Sequence, residues 1–302
     1  MSEVRIAYLT AHPIQYQAPL LRRIAAEPGV RLKVFFASDL TTRQFVDSGF
    51  KREISWDTEL LHGYEHEFLP ALGSTDRISM ARPFSVGLGS RLRAGNFSAL
   101  WVHGYMRLHH WAAFVSAKRL KMKVLIRDEA TAIGRDRSQL ARALKPAFFS
   151  FLSRVADGFL AIGTRNRDYY LANNIAASRL FWTPYAVDNS AFQAAARAAA
   201  PRREQLRAAL GLQPDRPIIL FAGKLMPRKR PGDLLEAWAH LAPRPEQRPY
   251  LLYVGDGKLR AELEGRAREV GSEAVRFLGF KNQSELPAYY ELCDLLRYAN
   301  RV

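Results

Sequence analysis

Residues 217–240 read Pro217-Ile218-Ile219-Leu220-Phe221-Ala222-Gly223-Lys224-Leu225-Met226-Pro227-Arg228-Lys229-Arg230-Pro231-Gly232-Asp233-Leu234-Leu235-Glu236-Ala237-Trp238-Ala239-His240. Ile218 to Ala222 is an unbroken apolar run bounded by Pro217 and Gly223, the pattern of a strand covered on both faces in a parallel sheet. Leu234, Trp238 and Leu241 then recur at helical spacing. Pro231 suits the first turn, where its missing N–H would have had no intrahelical partner. The loop between carries four cations, Lys224, Arg228, Lys229 and Arg230. Cations beside a helix N-terminus with free N–H donors suit a di-anion such as a diphosphate; a solvated basic turn is the alternative. The loop is not a Walker loop, because Leu225 stands where Ser or Thr should follow Lys224, and no G-x-G-x-x-G occurs in the chain.

The same rhythm continues. Tyr250 to Val254 reads as a strand ending in Gly255-Asp256-Gly257, Val275 to Phe280 as a third, Ser284 to Leu292 as a helix, and Asp294-Leu295-Leu296 as the start of a fourth strand. The Gly223-Lys224 turn with Lys229 beyond it, Val254-Gly255-Asp256-Gly257, Phe277-Leu278-Gly279-Phe280 and Tyr290-x-x-Cys293-Asp294 stand in one order. Together they resemble the donor-nucleotide domain of the GT-B glycosyltransferases of the group 1, or family 4, type, a retaining family that uses nucleotide-sugars. The resemblance implies an α/β protein of two Rossmann-like, doubly wound parallel-sheet domains facing a cleft. It implies that Lys224 and Lys229 bind the donor diphosphate, and that Gly223, Gly255, Phe277, Gly279, Phe280 and Lys281 line the nucleotide. The family adds further strands and an acidic motif of two glutamates beyond the position of Leu296, so the second domain is expected to be incomplete and the chain to lose most or all transfer activity.

With 302 residues, 48% hydrophobic and 25% charged, the chain has the composition of a globular protein and the length for two cores. No apolar run reaches the ~18 residues of a membrane span, and the N-terminus enters a strand without the layout of a signal peptide. The lone Cys293 cannot form an internal disulfide, which suits a cytoplasmic protein; in its apolar stretch it reads as inert packing. The net charge is +16, and Arg77 to Arg154 alone holds fifteen Lys and Arg against three Asp and Glu. Such a face attracts phosphates, nucleic acid or anionic lipid, unless it is only a solvated surface.

Val4 to Leu9, a helix from Ile14 to Ala26 and Arg31 to Phe36 open the chain as βαβ, the start of a parallel sheet. His12-Pro13-Ile14-Gln15-Tyr16-Gln17 resembles the N-terminal turn of bacterial polysaccharide glycosyltransferases of this family, without the glycine pair many relatives carry. His12 and Gln15 would stand near the cleft in its place; for His12 a turn residue bonding locally is equally open. Thr41 to Leu72 reads as an irregular stretch, of a length that is often functional, and the family places it facing the acceptor. His103 ends the strand Ser98 to Val102 before Gly104, where open α/β sheets hold ligands. The family often has a His there, so His103 is the first catalytic candidate, near its ordinary pKa and orienting a sugar or acceptor hydroxyl; a structural His is the alternative. Glu129, after the strand Lys123 to Arg127, is the second, unless Asp128 and Glu129 merely pair with Arg127 and Arg135. His109 and His110 read as helix-face residues. No D-x-D occurs, which fits cationic side chains rather than a metal at the diphosphate, and no cofactor beyond the donor substrate is expected.

Gln139 to Val155 reads as a helix with Arg142, Lys145, Arg154, Phe148, Phe149 and Phe151. Beside the helix of Trp111, Phe114, Lys118 and Arg119 it has the composition of an interfacial anchor, or simply of core aromatics. The alanine-rich run Ala191 to Ala200 before Pro201 reads as a linker, giving an acceptor-side domain over 1–190 and a donor-nucleotide domain over 191–302. The expected function is metal-independent, retaining transfer of a sugar to a polysaccharide or lipid-linked acceptor of the cell envelope. The expected setting is cytoplasmic, with peripheral attachment to an anionic membrane surface. The competing readings are an inactive GT-B protein that only binds nucleotide or acceptor, a nucleotide-sugar epimerase of similar architecture, and a nucleic-acid binder driven by charge, which lacks any nucleic-acid motif.

Overall fold

The computed structural model describes residues 3–76, 78–132, 138–241, 248–270 and 273–297. Arg135, considered above as a partner of the Asp128-Glu129 pair, lies outside them. Two compact units emerge: Met1–Arg43 with Glu59–Val187, and Gln44–Thr58 with Asp188–Val302. The chain changes unit beside Asp188, close to the expected boundary, but it also enters the second unit once before that.

In chain order the N-terminal part runs β1 (Val4–Thr10), α1 (Ala18–Ala25), β2 (Val30–Phe36), the short strands β3 (Phe45–Asp47) and β4 (Arg52–Ile54), then β5 (Glu65–Phe68), β6 (Ala71–Leu72), β7 (Phe84–Ser85) and α2 (Leu88–Ala94). It continues with β8 (Ala99–His103), α3 (Leu108–Arg119), β9 (Lys123–Arg127), α4 (Gln139–Val155), β10 (Gly158–Ala161), α5 (Thr164–Leu171) and β11 (Leu180–Trp182). Seven strands of the first unit form one parallel sheet in the order β11-β10-β9-β8-β1-β2-β5. Alternation along the central strands sorts the core onto two faces. Tyr8, Val34, Phe36 and Trp101 pack on one side, and Leu9, Phe35, Leu100 and Val102 on the other with Phe114 and Ile126. The strand order reverses between β1 and β8, which makes their C-terminal ends the switch point of the sheet.

The rest comprises α6 (Asn189–Ala199), α7 (Arg203–Ala209), β12 (Ile218–Ala222), α8 (Pro231–Ala239), β13 (Tyr250–Val254), α9 (Arg260–Glu269), β14 (Val275–Gly279), α10 (Leu286–Leu292) and β15 (Leu295–Leu296). Its parallel sheet has the order β14-β13-β12-β15, with the reversal at β12 and β15. All five residues of β13 are buried, as are the first four of β12. Each large apolar side chain so buried contributes about 1.5–3 kcal/mol. Trp238 docks α8 on this sheet, donating its indole N–H to the Pro249 carbonyl at 2.7 Å.

Three expectations need correction. The stretch 191–200 is not an extended linker but most of α6, because alanine is the best helix former and the Asp188 carboxylate caps the helix by accepting the Ala191 N–H at 2.9 Å. The first helix starts at Ala18 rather than Ile14, with Pro19 in its first turn. The stretch 41–72 is not irregular throughout: Gln44–Thr58 holds the antiparallel β3–β4 hairpin and belongs to the second unit, while Glu65–Phe68 is β5 of the first sheet.

Candidate functional site

At the switch point of the first sheet, β1 and β8 bring together side chains of low local charge. Tyr8 donates its hydroxyl to the Gln17 carbonyl oxygen at 3.0 Å, which turns the Gln17 amide N–H toward His103 Nδ1, 3.3 Å away. The Tyr8 oxygen lies 3.2 Å from the same nitrogen. An Nδ1 that accepts leaves the imidazole proton on Nε2. Burial, and then the neighbouring Arg127 guanidinium, push the His103 pKa down to about 4. His103 therefore does not sit near its ordinary pKa, as the sequence suggests; at neutral pH it is an uncharged hydrogen-bond donor.

His103 pairs in register with Arg127 at the end of β9. Arg127 is buried, and its guanidinium donates to the Thr183 and Pro184 carbonyls at 3.4 Å each and lies 4.5 Å from the Tyr185 ring centre. Tyr185 in turn donates its hydroxyl to Glu129 and meets Tyr16 edge-on at 5.6 Å. Burial and the Glu129 carboxylate both push the Tyr185 phenol upward, so it stays a donor. Asp128 turns back to its own loop and accepts the Ala130 N–H at 2.7 Å. His12 holds the local contact expected of a turn residue, Nδ1 to the Pro13 carbonyl at 2.9 Å, and Gln15 is half-buried beside it. His109 and His110 face inward, 3% and 1% exposed, and burial pushes the pKa of both down, His109 to about 4.

The second site surrounds Lys224. Its backbone is clamped: the Gly223 N–H donates to Val254 O at 2.8 Å, the Leu225 N–H to Asp256 O at 2.8 Å, and the Leu259 N–H to Leu225 O at 3.1 Å. The clamp needs glycine. Gly255 has φ +135°, and a Cβ there would lie 1.9 Å from Gly223 O; one on Gly257 would lie 2.5 Å from Leu225 O. Gly223 and Gly255 thus fix the course of the loop, and Leu225, fully buried, pins it to the core. Lys229 ends a single 3-10 turn and is half-exposed, while Arg230, at φ +50°, leads into α8 and pairs with Asp233.

The β3–β4 hairpin lies over this loop. Lys224 Nζ donates to both Asp47 oxygens, at 2.7 and 2.9 Å, and stands 4.7 Å from the Phe50 ring centre. Phe280 meets Phe50 at 4.9 Å and Trp56 at 5.9 Å. Phe277 stacks on Tyr253 at 4.9 Å, Gly279 accepts the Gly255 N–H at 2.7 Å, and Lys281 pairs with Glu285 at 3.2 Å. Asp47 and Phe50 escaped the sequence reading, as did Tyr8 and Gln17 as partners of His103. Asp47 two residues before Gly49 carries a local turn signal, but no local pattern reveals a partner 177 residues away.

Residues 202–301 match the family model of the glycosyl transferases group 1. The C-terminal third of the chain is a group 1 glycosyl transferase domain. A D-inositol 3-phosphate glycosyltransferase of Streptomyces bingchenggensis is 39% identical over 103 residues, which are 31% of this chain and 23% of that protein. The chain therefore matches about a quarter of that curated relative's length. Among solved structures, Anabaena HepE in complex with UDP and glucose superposes with a TM-score of 0.62 at 14% identity, covering 99% of this chain and 74% of HepE. The UDP-GlcNAc 2-epimerase of Neisseria meningitidis bound to UDP-GlcNAc gives 0.56 at 12% identity, covering 97% and 76%. At such identities the likeness is one of fold, and the fold is GT-B. The glycosyl transferase domain contains the Lys224 loop, Gly255, Gly279 and Phe280, while His103, Glu129 and the β3–β4 hairpin lie outside the matched residues.

Proposed function

We propose that the protein transfers a sugar from a nucleotide-diphosphate donor to a polysaccharide or lipid-linked acceptor, with retention of configuration and without a metal or other cofactor. The observation that carries this reading is the position of Lys224: a cation on a clamped loop, at the C-terminal end of β12, at the switch point of a group 1 glycosyl transferase domain. Lys224 and Lys229 would take the charge that develops on the departing diphosphate, stabilisation that grows as the glycosidic bond breaks. Gly223, Gly255, Phe277, Gly279, Phe280 and Lys281 would shape the nucleotide side. His103, uncharged, would donate from Nε2 to a sugar hydroxyl. Glu129, oriented by Tyr185, would bind or deprotonate an acceptor hydroxyl. His12 and Gln15 would border that side.

Peripheral attachment to an anionic membrane surface belongs to the same proposal. Leu108 and Val115 of α3 and Leu140, Leu144 and Phe151 of α4 are each at least half exposed, with Trp111 stacked on Phe151 at 5.5 Å. Exposed apolar side chains within the most basic segment of the chain suit a lipid surface. No described helix is long and apolar enough to cross a membrane. The functional test incubates the protein with UDP-, GDP- and ADP-sugars and an extract of lipid-linked acceptors, following sugar incorporation. Transfer lost in Lys224→Ala is the expected result. A donor that binds without being consumed would mark a binding protein, and release of an epimerised donor would mark an epimerase.

A further inference from the structure

The strongest contact of the candidate diphosphate cation is with the protein's own anion. Asp47 meets Lys224 with both carboxylate oxygens, at 2.7 and 2.9 Å, and accepts the N–H groups of Gly49 and Phe50 at 2.8 and 2.9 Å. Burial alone would raise the Asp47 pKa, but Lys224 and the two N–H donors outweigh it and hold the carboxyl below its ordinary value. Asp47 is thus ionised throughout the neutral range. Its negative oxygens engage the same ammonium that a phosphoryl oxygen would seek, and Phe50 packs against that ammonium and against Phe280.

The hairpin does not depend on this ion pair for its place. Asn282 donates to Ser55 O at 2.7 Å, the Ser284 N–H donates to Asp57 at 3.1 Å, Arg52 reaches Asp256 at 3.8 Å, and Trp56 packs on Phe280. Gly49 allows the close approach, since a Cβ there would lie 2.5 Å from Lys224 Cδ. An anion presented on an anchored hairpin, touching a cation of the proposed diphosphate site, is a built-in competitor.

We infer that Asp47 is a further residue of the diphosphate site, an internal counter-anion that occupies Lys224 until the donor's diphosphate displaces it and that reclaims Lys224 as the nucleoside diphosphate leaves. The inference rests on the diphosphate reading of Lys224. It makes donor affinity lower, and product release faster, than the cations alone would give. The exchange is one of ion pairs, with no bond made or broken in the protein. A nucleoside monophosphate, lacking the second phosphoryl group, gains little from an emptied Lys224 and is nearly indifferent to Asp47.

The test is Asp47→Asn, which keeps the side-chain oxygen for the Gly49 and Phe50 N–H groups and removes the charge. UDP, GDP and ADP, and the matching monophosphates, are titrated into the wild type, Asp47→Asn, Lys224→Ala and the double variant, with thermal unfolding as a check on folding. A half-buried ion pair is worth on the order of 1 kcal/mol, about a factor of five. The diphosphate that binds should therefore bind Asp47→Asn about fivefold more tightly and inhibit turnover more strongly as product. The monophosphate should shift less than twofold, and Asp47→Asn should have no effect in the Lys224→Ala background. Weaker binding by Asp47→Asn would overturn the inference, showing that Asp47 positions Lys224 rather than competing for it. Unchanged binding would overturn it while leaving the Lys224 site intact. No Lys224-dependent binding in any variant would instead remove the diphosphate reading itself, and the inference with it.

Discussion

The two parallel sheets place their polar residues at the same topological point and equip it with opposite chemistry. In the first, Tyr8 of β1, Gln17 at the start of α1 and His103 at the end of β8 form a neutral network in which burial and Arg127 keep the imidazole uncharged. In the second, the end of β12 carries Lys224 on a loop clamped by glycine, its charge answered by Asp47 from a distant hairpin. Strand order decides where a ligand can lie; the side chains decide what it can be. A neutral donor network suits sugar hydroxyls, and a fixed ammonium suits a diphosphate.

The contrast breaks most severely where the clamp itself is removed. Gly255→Val drives a side chain into Gly223 O from a left-handed backbone, and should destabilise the second unit by about 3 kcal/mol or more, read as a lower urea midpoint. The first sheet should fail instead in acid. His103, His109 and His110 all have folded-state pKa values below the ordinary 6.5. Between about pH 6.5 and 4 the unfolded chain therefore takes up protons that the folded one refuses. Stability is complete above that window and falls through it as the pH drops. Urea titrations at pH 7.5 and 5.0 should show the loss, and His109→Gln should lessen it. A rising stability on acidification would contradict the buried, uncharged histidines.

Lys229→Ala should weaken diphosphate binding about tenfold if Lys229 shares the charge with Lys224, without changing the acid behaviour of the first unit. Tyr185→Phe sits at the bottom of the scale. It removes the hydroxyl that orients Glu129 and should lower kcat about threefold with donor KM unchanged. A donor KM that rises instead would move Glu129 from the acceptor to the donor.

Most strands of both sheets were legible because buried parallel strands have a plain signature: Ile218 to Ala222 and Tyr250 to Val254 are continuous apolar runs closed by glycine, whereas the edge strand β5, Glu65-His66-Glu67-Phe68, has no such run. The Lys224 loop was legible for the same reason, as a local pattern between strand and helix. Helix α6 was hidden because alanine-rich sequence suits both linker and helix, and the Asp188 cap decides between them. The β3–β4 hairpin was hidden more deeply. Its strands are three residues each, too short for periodicity, and its partners are Lys224, Phe280 and Asn282, more than 170 residues along the chain. The depressed pKa of His103 was equally out of reach, since it arises from burial and from Arg127 on a neighbouring strand.

The most direct measurement is calorimetric titration of UDP, GDP and ADP into the wild type and Lys224→Ala, with both unfolding midpoints recorded. One nucleoside diphosphate should bind the wild type saturably and bind Lys224→Ala about 30-fold more weakly, as the loss of a charged hydrogen-bond donor implies, with the unfolding midpoint lowered only by the lost Asp47 ion pair, about 1 kcal/mol. Equal binding by both proteins would show that the cation at the end of β12 does not hold the diphosphate.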